Sequence, residues 1–363
     1  MEINAKRAFI VSDTHFGARS NSVEWVEEMM DWFDNDFIPR VKAEYKPGDI
    51  LIHCGDVFDN RQSVNLLVLH KGIQLFEKLS EIFIDGIYVI AGNHDVMRKT
   101  NNDVSSLDCL KYIPRVNILK EPIIAKLPTK TALFMPWRTN DEEEKKCLEE
   151  FDIENCNYLF CHTNIRNLRF DSRREVEEGL MLDDIKKFQR VYSGHIHWGQ
   201  HRGNVTMIGN PYQMTRSDAG NEKGFYLLDF DSGEETFYEN HYSPKFIRIY
   251  LSKFMEKTIG ELKSACNNHR VDLYVPSMYL MRYQINPIID ILSEITKKLD
   301  VIPYESDIYD EDSDEDQSDE GTFNIISLCE KYIQSIKTVD SDIKLKVLSK
   351  INSIYNETIK IEK

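Results

Sequence analysis

Five short motifs combine acidic, amide and imidazole side chains, and each follows a short apolar run. They span Ser12–His15, Gly55–Asp59, Gly92–Asp95, Cys161–Asn164 and Gly194–His197. Together they supply seven metal-binding groups, namely Asp13, His15, Asp56, Asn93, His162, His195 and His197. This ligand set suits two divalent cations about 3.5–4 Å apart that share one carboxylate, and such a pair hydrolyses phosphate esters. The motifs therefore predict a metal-dependent phosphoesterase.

The apolar runs before the motifs predict the elements that position them. The runs cover residues 7–11, 49–54, 86–91, 157–160 and 190–192. Near-continuous apolar runs of this length are typical of strands buried on both faces. Helical periodicity predicts one helix over 23–37, which Pro39 should end, and another over 63–79. Alternating strands and helices indicate an α/β sheet, in which ligands gather at the carboxyl ends of the strands, where all five motifs lie.

The part of the chain after His197 predicts further strands. An apolar run at 205–209 precedes a hairpin, whose strands cover 225–230 and 236–238 around a turn at 231–233. We place the end of this first domain at residue 244.

A small α+β domain is predicted over residues 245–303. Its expected strands cover 246–251 and 271–275, and its expected helices cover 257–267 and 287–299. Residues 304–321 should form a disordered acidic linker. Residues 322–363 should be helical, with an apolar stripe at helical spacing formed by Ile343, Val347, Ile351, Ile354 and Tyr355.

Composition limits the class of protein and its partners. No run of 18 apolar residues predicts a membrane span, and the first residues lack a secretory signal. Seven cysteines without a CxxC pair favour reduced thiols, and hence a cytoplasmic protein. The net charge is −16, but residues 305–320 hold ten acids and no base. This acidity argues against a broad DNA-coating surface, but it is compatible with a nuclease that engages DNA at a metal site or with a partner.

The motifs differ in how strongly they indicate metal binding. A single Asp-x-His pair is common by chance. In Gly-His-Ile-His, however, two histidines at i and i+2 of an extended segment point to the same side. Satisfied structural histidines remain a good explanation for His53, His70, His201 and His241. Structural histidines do not explain why five such motifs occur together in this order.

In order and spacing, the motifs resemble those of the calcineurin-like metallophosphoesterase superfamily. Within it, the chain resembles the nuclease subunit of SbcCD-type double-strand-break repair complexes, with the closest likeness to phage recombination endonuclease subunits. Two further segments carry that likeness, 209–215 and 222–226. The resemblance implies a four-layer α-β-β-α sandwich with a small DNA-contacting capping domain and a C-terminal helical segment.

The resemblance also implies roles for the motif residues. One metal would be held by Asp13, His15, Asp56 and His197, and the other by Asp56, Asn93, His162 and His195, with Asp56 as the bridge. Mixed imidazole and carboxylate ligands favour two Mn²⁺, with Mg²⁺ as an alternative. His94 corresponds to the family's catalytic histidine, whose ring we expect Asp95 to orient. Asp59 stands where the repair nucleases often carry a histidine linked to exonuclease action.

Substrate and partner follow from the same likeness. It implies a 3′–5′ DNA exonuclease and single-strand endonuclease of recombination and repair. An SbcC-like ATPase would dock on residues 322–363, with a homodimer inside a heterotetramer and no membrane contact. The candidate phosphate-gripping residues are Arg98, Lys99, Arg166, Arg169, Arg173 and Arg174. The alternatives are a phosphatase or cyclic-nucleotide phosphodiesterase of the same fold, and a non-catalytic scaffold.

Overall fold

The motif-bearing runs form strands within two sheets. A computed structural model describes residues 1–98, 101–151, 156–252, 258–280, 285–304, 333 and 343–350. The chain divides into two units, Met1–Ser243 and Pro244–Lys363. The strands of the first unit are β1 (Arg7–Val11), β2 (Asp49–His53), β3 (Ile87–Ile90), β4 (Val96–Arg98), β5 (Asn101–Ser105), β6 (Val116–Leu119), β7 (Ile123–Lys126), β8 (Thr131–Met135), β9 (Tyr158–His162), β10 (Arg190–Gly194), β11 (Gln200–Arg202), β12 (Val205–Met207), β13 (Gly224–Asp229) and β14 (Glu235–Glu239).

Parallel pairing places the motifs at one edge of each sheet. The first sheet has the order β14-β13-β1-β2-β3-β6, and the second has the order β11-β12-β10-β9-β8-β7. Strands β1, β2, β3 and β6 run parallel, as do β8, β9, β10 and β12. The carboxyl ends of β1, β2 and β3 therefore meet at one edge, and those of β9 and β10 meet at another. The predicted hairpin is confirmed as β13 and β14, which pair antiparallel.

Helices cover the outer face of each sheet. They are α1 (Ala18–Asn21, a short turn), α2 (Val23–Trp32), α3 (Ile38–Glu44), α4 (Leu66–Ile82), α5 (Asp141–Glu150) and α6 (Leu182–Ile185). Short 3₁₀ turns lie at Ser106–Cys109 and Arg216–Asp218, and Phe33–Phe37 forms a π-helical segment.

Alternate side chains of the strands enter different cores. Ile10 of β1 and Phe160 of β9 belong to one apolar cluster, which lies between the two sheets. Phe9 of β1 packs instead with the residues of α2 and α4, and Leu159 of β9 packs with those of α5 and α6. Strands buried on both faces explain why the runs are continuously apolar. The four-layer α-β-β-α sandwich is thus confirmed.

The predicted helix boundaries near Pro39 are wrong. Helix α2 leads through Phe33–Phe37 into α3, and Pro39 lies in the first turn of α3 rather than after the end of the helix. The π-helical segment Phe33–Phe37 directly before α3 interrupts the regular α-helical hydrogen bonds, which proline cannot join because it has no N–H. The next helix begins at Leu66 rather than at 63, because the Asn65 side chain caps it by accepting from the Leu67 N–H.

The second unit contains a small parallel sheet. Its strands are β15 (Phe246–Tyr250), β16 (Arg270–Pro276) and β17 (Lys298–Tyr304), and its helices are α7 (Ile259–Cys266), α8 (Ser277–Leu280) and α9 (Asn286–Ile295). The helix predicted over 287–299 is wrong at its end, because α9 stops at Ile295 and β17 follows. Pairing of β17 with β16 along seven residues outweighs the helical spacing of Leu299.

Several predictions concern residues beyond this description. The acidic run 305–320, most of 322–363, and Ile351, Ile354 and Tyr355 lie outside the described residues. Residues 343–350 are helical, and Ile343 and Val347 are exposed there. Within the described ranges, no helix is both long and apolar enough to cross a membrane.

Candidate metal centre

The five motifs converge where their strands end. Asp13 follows β1, Asp56 follows β2, Asn93 follows β3, His162 closes β9, and His195 follows β10. All seven predicted ligand side chains come together there: six form two donor groups of three, and Asp56 lies close to both. Five of the seven residues are buried (Asp13, His15, Asp56, Asn93 and His162).

The first donor group contains Asp13, His15 and His197. The Nε2 atoms of His15 and His197 lie 3.0 Å apart, and each lies close to Asp13 Oδ1, at 3.8 and 3.9 Å respectively. His15 Nε2 also lies 3.6 Å from Asp56 Oδ2.

The second donor group contains Asn93, His162 and His195. Asn93 Oδ1 lies 3.0 Å from His162 Nε2 and 2.6 Å from His195 Nδ1. His162 Nε2 lies 3.3 Å from Asp56 Oδ2. The same Asp56 oxygen therefore approaches both donor groups.

Hydrogen bonds on the far side of two rings fix which nitrogen faces the centre. His162 Nδ1 donates to the Cys54 carbonyl oxygen (2.7 Å), and His15 Nδ1 donates to Asp59 Oδ1 (3.0 Å). Each Nε2 therefore directs its lone pair into the centre when the ring is neutral.

These donor groups fit divalent cations. Ligands about 2.0–2.2 Å from one cation lie roughly 3–4 Å from each other, as most of these atoms do. Asn93 Oδ1 and His195 Nδ1 lie closer together, at 2.6 Å. In the neutral tautomer, His162 Nε2 faces Asn93 Oδ1 acceptor to acceptor, an arrangement that a cation between them makes favourable. The set of imidazole nitrogens, carboxylate oxygens and an amide oxygen suits Mn²⁺, Fe²⁺ or Zn²⁺ better than Ca²⁺.

The carboxylates set the proton affinity of two imidazoles. Burial lowers the pKa of His15, but the Asp13 and Asp59 carboxylates outweigh it and raise that pKa to about 10. Burial is likewise outweighed at His162, where Asp56 raises the pKa to about 9. At His195 and His197, burial outweighs the nearby carboxylates and lowers the pKa values to about 3 and about 4 respectively. Protons therefore compete with metal chiefly at His15 and His162.

Four of the converging residues adopt left-handed backbone conformations. Their φ angles are positive: 52° at Asp13, 46° at His15, 55° at Asp56 and 80° at His195. Such conformations cost free energy in residues other than glycine. They turn each chain sharply after its strand and direct the side chains to a common point.

One motif glycine is required by close packing. A Cβ atom at Gly194 would lie 2.2 Å from Ser12 Oγ and 2.4 Å from the Cys54 carbonyl oxygen. No side chain fits at that position, where the two sheets approach each other beside the centre.

The role predicted for Asp95 is wrong. Its two carboxylate oxygens accept backbone N–H groups from Gly92, Asp56, Val57 and Phe58, at 2.7–3.1 Å. Asp95 thus holds the loop that carries Asp56. The His94 ring is held instead by the Asp59 carbonyl oxygen, to which Nδ1 donates at 2.6 Å, and His94 lies edge-on to His15.

The predicted DNA-contacting residues have different surroundings. Arg166 pairs with Asp141 (2.9 Å), and Arg174 pairs with Asp171 (2.6 Å) and covers the Phe170 ring. Arg98, Arg169 and Arg173 are exposed and make no ion pair within the described part of the chain, whereas Lys99 lies outside it.

Two residues at the centre were not predicted. The Trp137 ring packs against His195, with centroids 4.9 Å apart, and Trp137 lies two residues after β8, a strand that none of the five motifs follows. Lys223 donates to the His197 carbonyl oxygen (2.6 Å). The one indication of Lys223 in the sequence is that it lies in segment 222–226, which carries part of the family resemblance.

Comparisons with known proteins agree with this geometry. The family model for calcineurin-like phosphoesterases matches residues 6–219. Exonuclease subunit 1 of Enterobacteria phage T4 is 24% identical over 234 residues, which cover 64% of this chain and 67% of that protein.

Solved structures also align with part of the chain. An archaeal phosphodiesterase aligns at 14% identity and a TM-score of 0.32, covering 64% of this chain and 99% of that one. The nuclease MPE of Pseudomonas putida aligns at 16% identity and a TM-score of 0.28, covering 61% and 84% respectively.

Proposed function

This chain belongs to the calcineurin-like phosphoesterase family, and from that premise we propose that it is a metal-dependent DNA nuclease. The convergence of two donor groups on the single Asp56 carboxylate carries the proposal, because a shared carboxylate is typical of two-metal phosphoesterases. Likeness to a phage exonuclease subunit supports DNA as the substrate.

Each donor group is assigned one cation. Asp13, His15 and His197 would hold the first, Asn93, His162 and His195 would hold the second, and Asp56 would bridge the two. We propose Mn²⁺ at both positions, with Mg²⁺ as the alternative. When bound, the pair supplies an activated water at neutral pH and neutralises charge on the phosphate oxygens.

Within this site, His94 would assist departure of the leaving 3′ oxygen. Because Nδ1 is committed to the Asp59 carbonyl, proton donation must come from Nε2, and the ring must therefore be doubly protonated when it acts. The His94 backbone N–H donates to Asp56 Oδ1 at 2.7 Å. The same residue would thus also orient the bridging carboxylate.

DNA would be guided by exposed cations near the site. Arg98, Arg169 and Arg173 are the candidates whose side chains remain available for phosphate, whereas Arg166 and Arg174 already face carboxylates. The small domain over 245–303 would contribute further DNA contacts.

A partner would supply much of the remaining DNA-binding surface. The phage relative is named as an exonuclease subunit, which supports action within a multi-subunit complex. We propose that residues 322–363 dock an SbcC-like ATPase, with two copies of this chain per assembly. The exposed Ile343 and Val347 fit such docking.

One comparison of substrates tests the proposal. The full chain, loaded with Mn²⁺, is assayed on single-stranded and duplex DNA, on a phosphopeptide and on a cyclic nucleotide, with the Asp56→Asn variant as control. We expect DNA cleavage that Asp56→Asn abolishes. Faster turnover of the phosphopeptide or cyclic nucleotide would favour the phosphatase or phosphodiesterase alternative.

A further inference from the structure

A buried ionic cluster lies behind the first donor group. Lys223 and Asp218 are 4% and 2% exposed and form an ion pair of 2.9 Å, and Asn210 is fully buried beside them. None of the three belongs to the metal-binding motifs.

The Lys223 ammonium group uses all of its donors in this cluster. It has three N–H bonds and contacts three acceptors, namely the Asp218 carboxylate, the Asn210 amide oxygen and the His197 carbonyl oxygen. Burying a lysine is costly unless it is paired and fully hydrogen-bonded. Here the paired lysine holds the backbone of a candidate metal ligand.

The segment 209–223 reaches both ends of the same donor group. Tyr212 donates its hydroxyl to the Thr14 carbonyl oxygen (2.6 Å), between Asp13 and His15. At the other end, Asn221 exchanges two hydrogen bonds of 2.9 Å with the backbone of Gly199. The segment therefore connects the backbone of Asp13 and His15 with that of His197.

Packing leaves this connection little freedom. A Cβ atom at Gly209 would lie 2.8 Å from the His197 carbonyl oxygen. The Asp218 carboxylate also accepts the backbone N–H groups of Met214 and Thr215, at 3.0 and 2.8 Å. The position of Lys223 is thus determined by its surroundings.

We propose that Lys223, held by Asp218 and Asn210, is a positioning residue that fixes the His197 backbone and thereby sets the metal affinity of the first donor group alone. The proposal rests on the two-metal site described above. Among the described residues, Asn93, His162 and His195 form no hydrogen bond or ion pair with Lys223, Asp218 or Asn210, and the second group should therefore keep its affinity.

The test removes the cluster without leaving a buried charge. The double variant Lys223→Met/Asp218→Asn replaces the ion pair with neutral side chains of similar size. The matched control is Arg7→Met/Asp49→Asn, which removes a largely buried ion pair of 2.5 Å. Both residues lie at the first positions of β1 and β2, at the ends of the strands away from the motifs. Both full-length variants and the wild type are stripped of metal and titrated with Mn²⁺ by calorimetry, and electron paramagnetic resonance reports coupling between two Mn²⁺ ions.

The expected result is selective. Loss of the support behind a ligand typically weakens metal binding by about 10–100-fold. We expect that loss at one of two Mn²⁺ sites in Lys223→Met/Asp218→Asn, with disappearance of the coupled signal at limiting Mn²⁺. The control should bind two ions as the wild type does.

Other results would overturn the inference. If the cluster variant binds both ions like the wild type, or loses both equally, Lys223 does not act on one site. If the control shows the same selective loss, the effect is general destabilisation. A wild type that binds fewer than two Mn²⁺ would overturn the two-metal proposal itself, and this inference with it.

Discussion

Replacing His94 with alanine should separate catalysis from metal binding. The backbone N–H that donates to Asp56 remains in the variant. The His94 ring lies close to His15 and Asp59, but it belongs to neither of the two donor groups that we propose to hold the cations. Within the described residues, the ring makes one hydrogen bond, to the Asp59 carbonyl oxygen, which contributes about 1 kcal/mol to stability. We therefore expect a folded variant that binds Mn²⁺ normally.

The loss of rate should be much larger than the loss of stability. A positioned general acid contributes about 10²–10⁴-fold, which corresponds to roughly 2.7–5.4 kcal/mol of barrier. DNA needs this help because its leaving 3′ oxygen is strongly basic. The leaving group of bis-p-nitrophenyl phosphate departs without a proton, and its hydrolysis should fall by less than about tenfold.

The assay measures the rate constant of cleavage for both substrates under single-turnover conditions with saturating Mn²⁺. Calorimetry counts the bound ions. Equal losses on both substrates would exclude proton donation and indicate that His94 stabilises charge on phosphorus instead. Unchanged DNA cleavage would refute any catalytic role for His94.

Three further perturbations test other parts of the site. The double variant Arg169→Gln/Arg173→Gln should reduce the dependence of log K for DNA binding on log salt concentration by about 2. Arg166→Gln should change this slope little, because the Arg166 guanidinium already faces Asp141. Equal slopes in all variants, measured by fluorescence anisotropy, would contradict phosphate contact. Because the pKa values of His15 and His162 are raised to about 10 and about 9, both carry protons near neutral pH in the metal-free protein. Mn²⁺ binding should therefore release about two protons and weaken as the pH falls. The binding heat is measured by calorimetry in buffers of different ionisation enthalpy, and a heat that is the same in every buffer would disprove this expectation. Deletion of 322–363 should abolish co-purification with the ATPase while sparing cleavage of short single strands, and retained co-purification would refute the docking assignment.

The sequence predicts most of the sandwich and the convergence of the candidate ligands. Parallel strands buried on both faces must be apolar throughout, so runs such as 7–11 and 49–54 stand out. Residues directly after such strands must meet at the sheet edge. The positions of Asp13 and Asp56 therefore follow from local pattern alone.

Features that depend on long-range partners were not predictable. Asp95 accepts N–H groups 37–39 residues away, and nothing local distinguishes that role from orienting the neighbouring His94. Arg166 looks like a phosphate ligand until Asp141 is found beside it. Strand β17 also depends on pairing with β16, which local helical spacing cannot reveal.

The left-handed conformations at Asp13, His15, Asp56 and His195 have a consequence for evolution in the laboratory. Glycine adopts such angles readily, so the backbone conformation at each of these positions costs free energy that a glycine would not incur. A library selected only for survival at high temperature should accumulate glycine at these four positions and lose cleavage. Selection that alternates heat with DNA cleavage should retain all four.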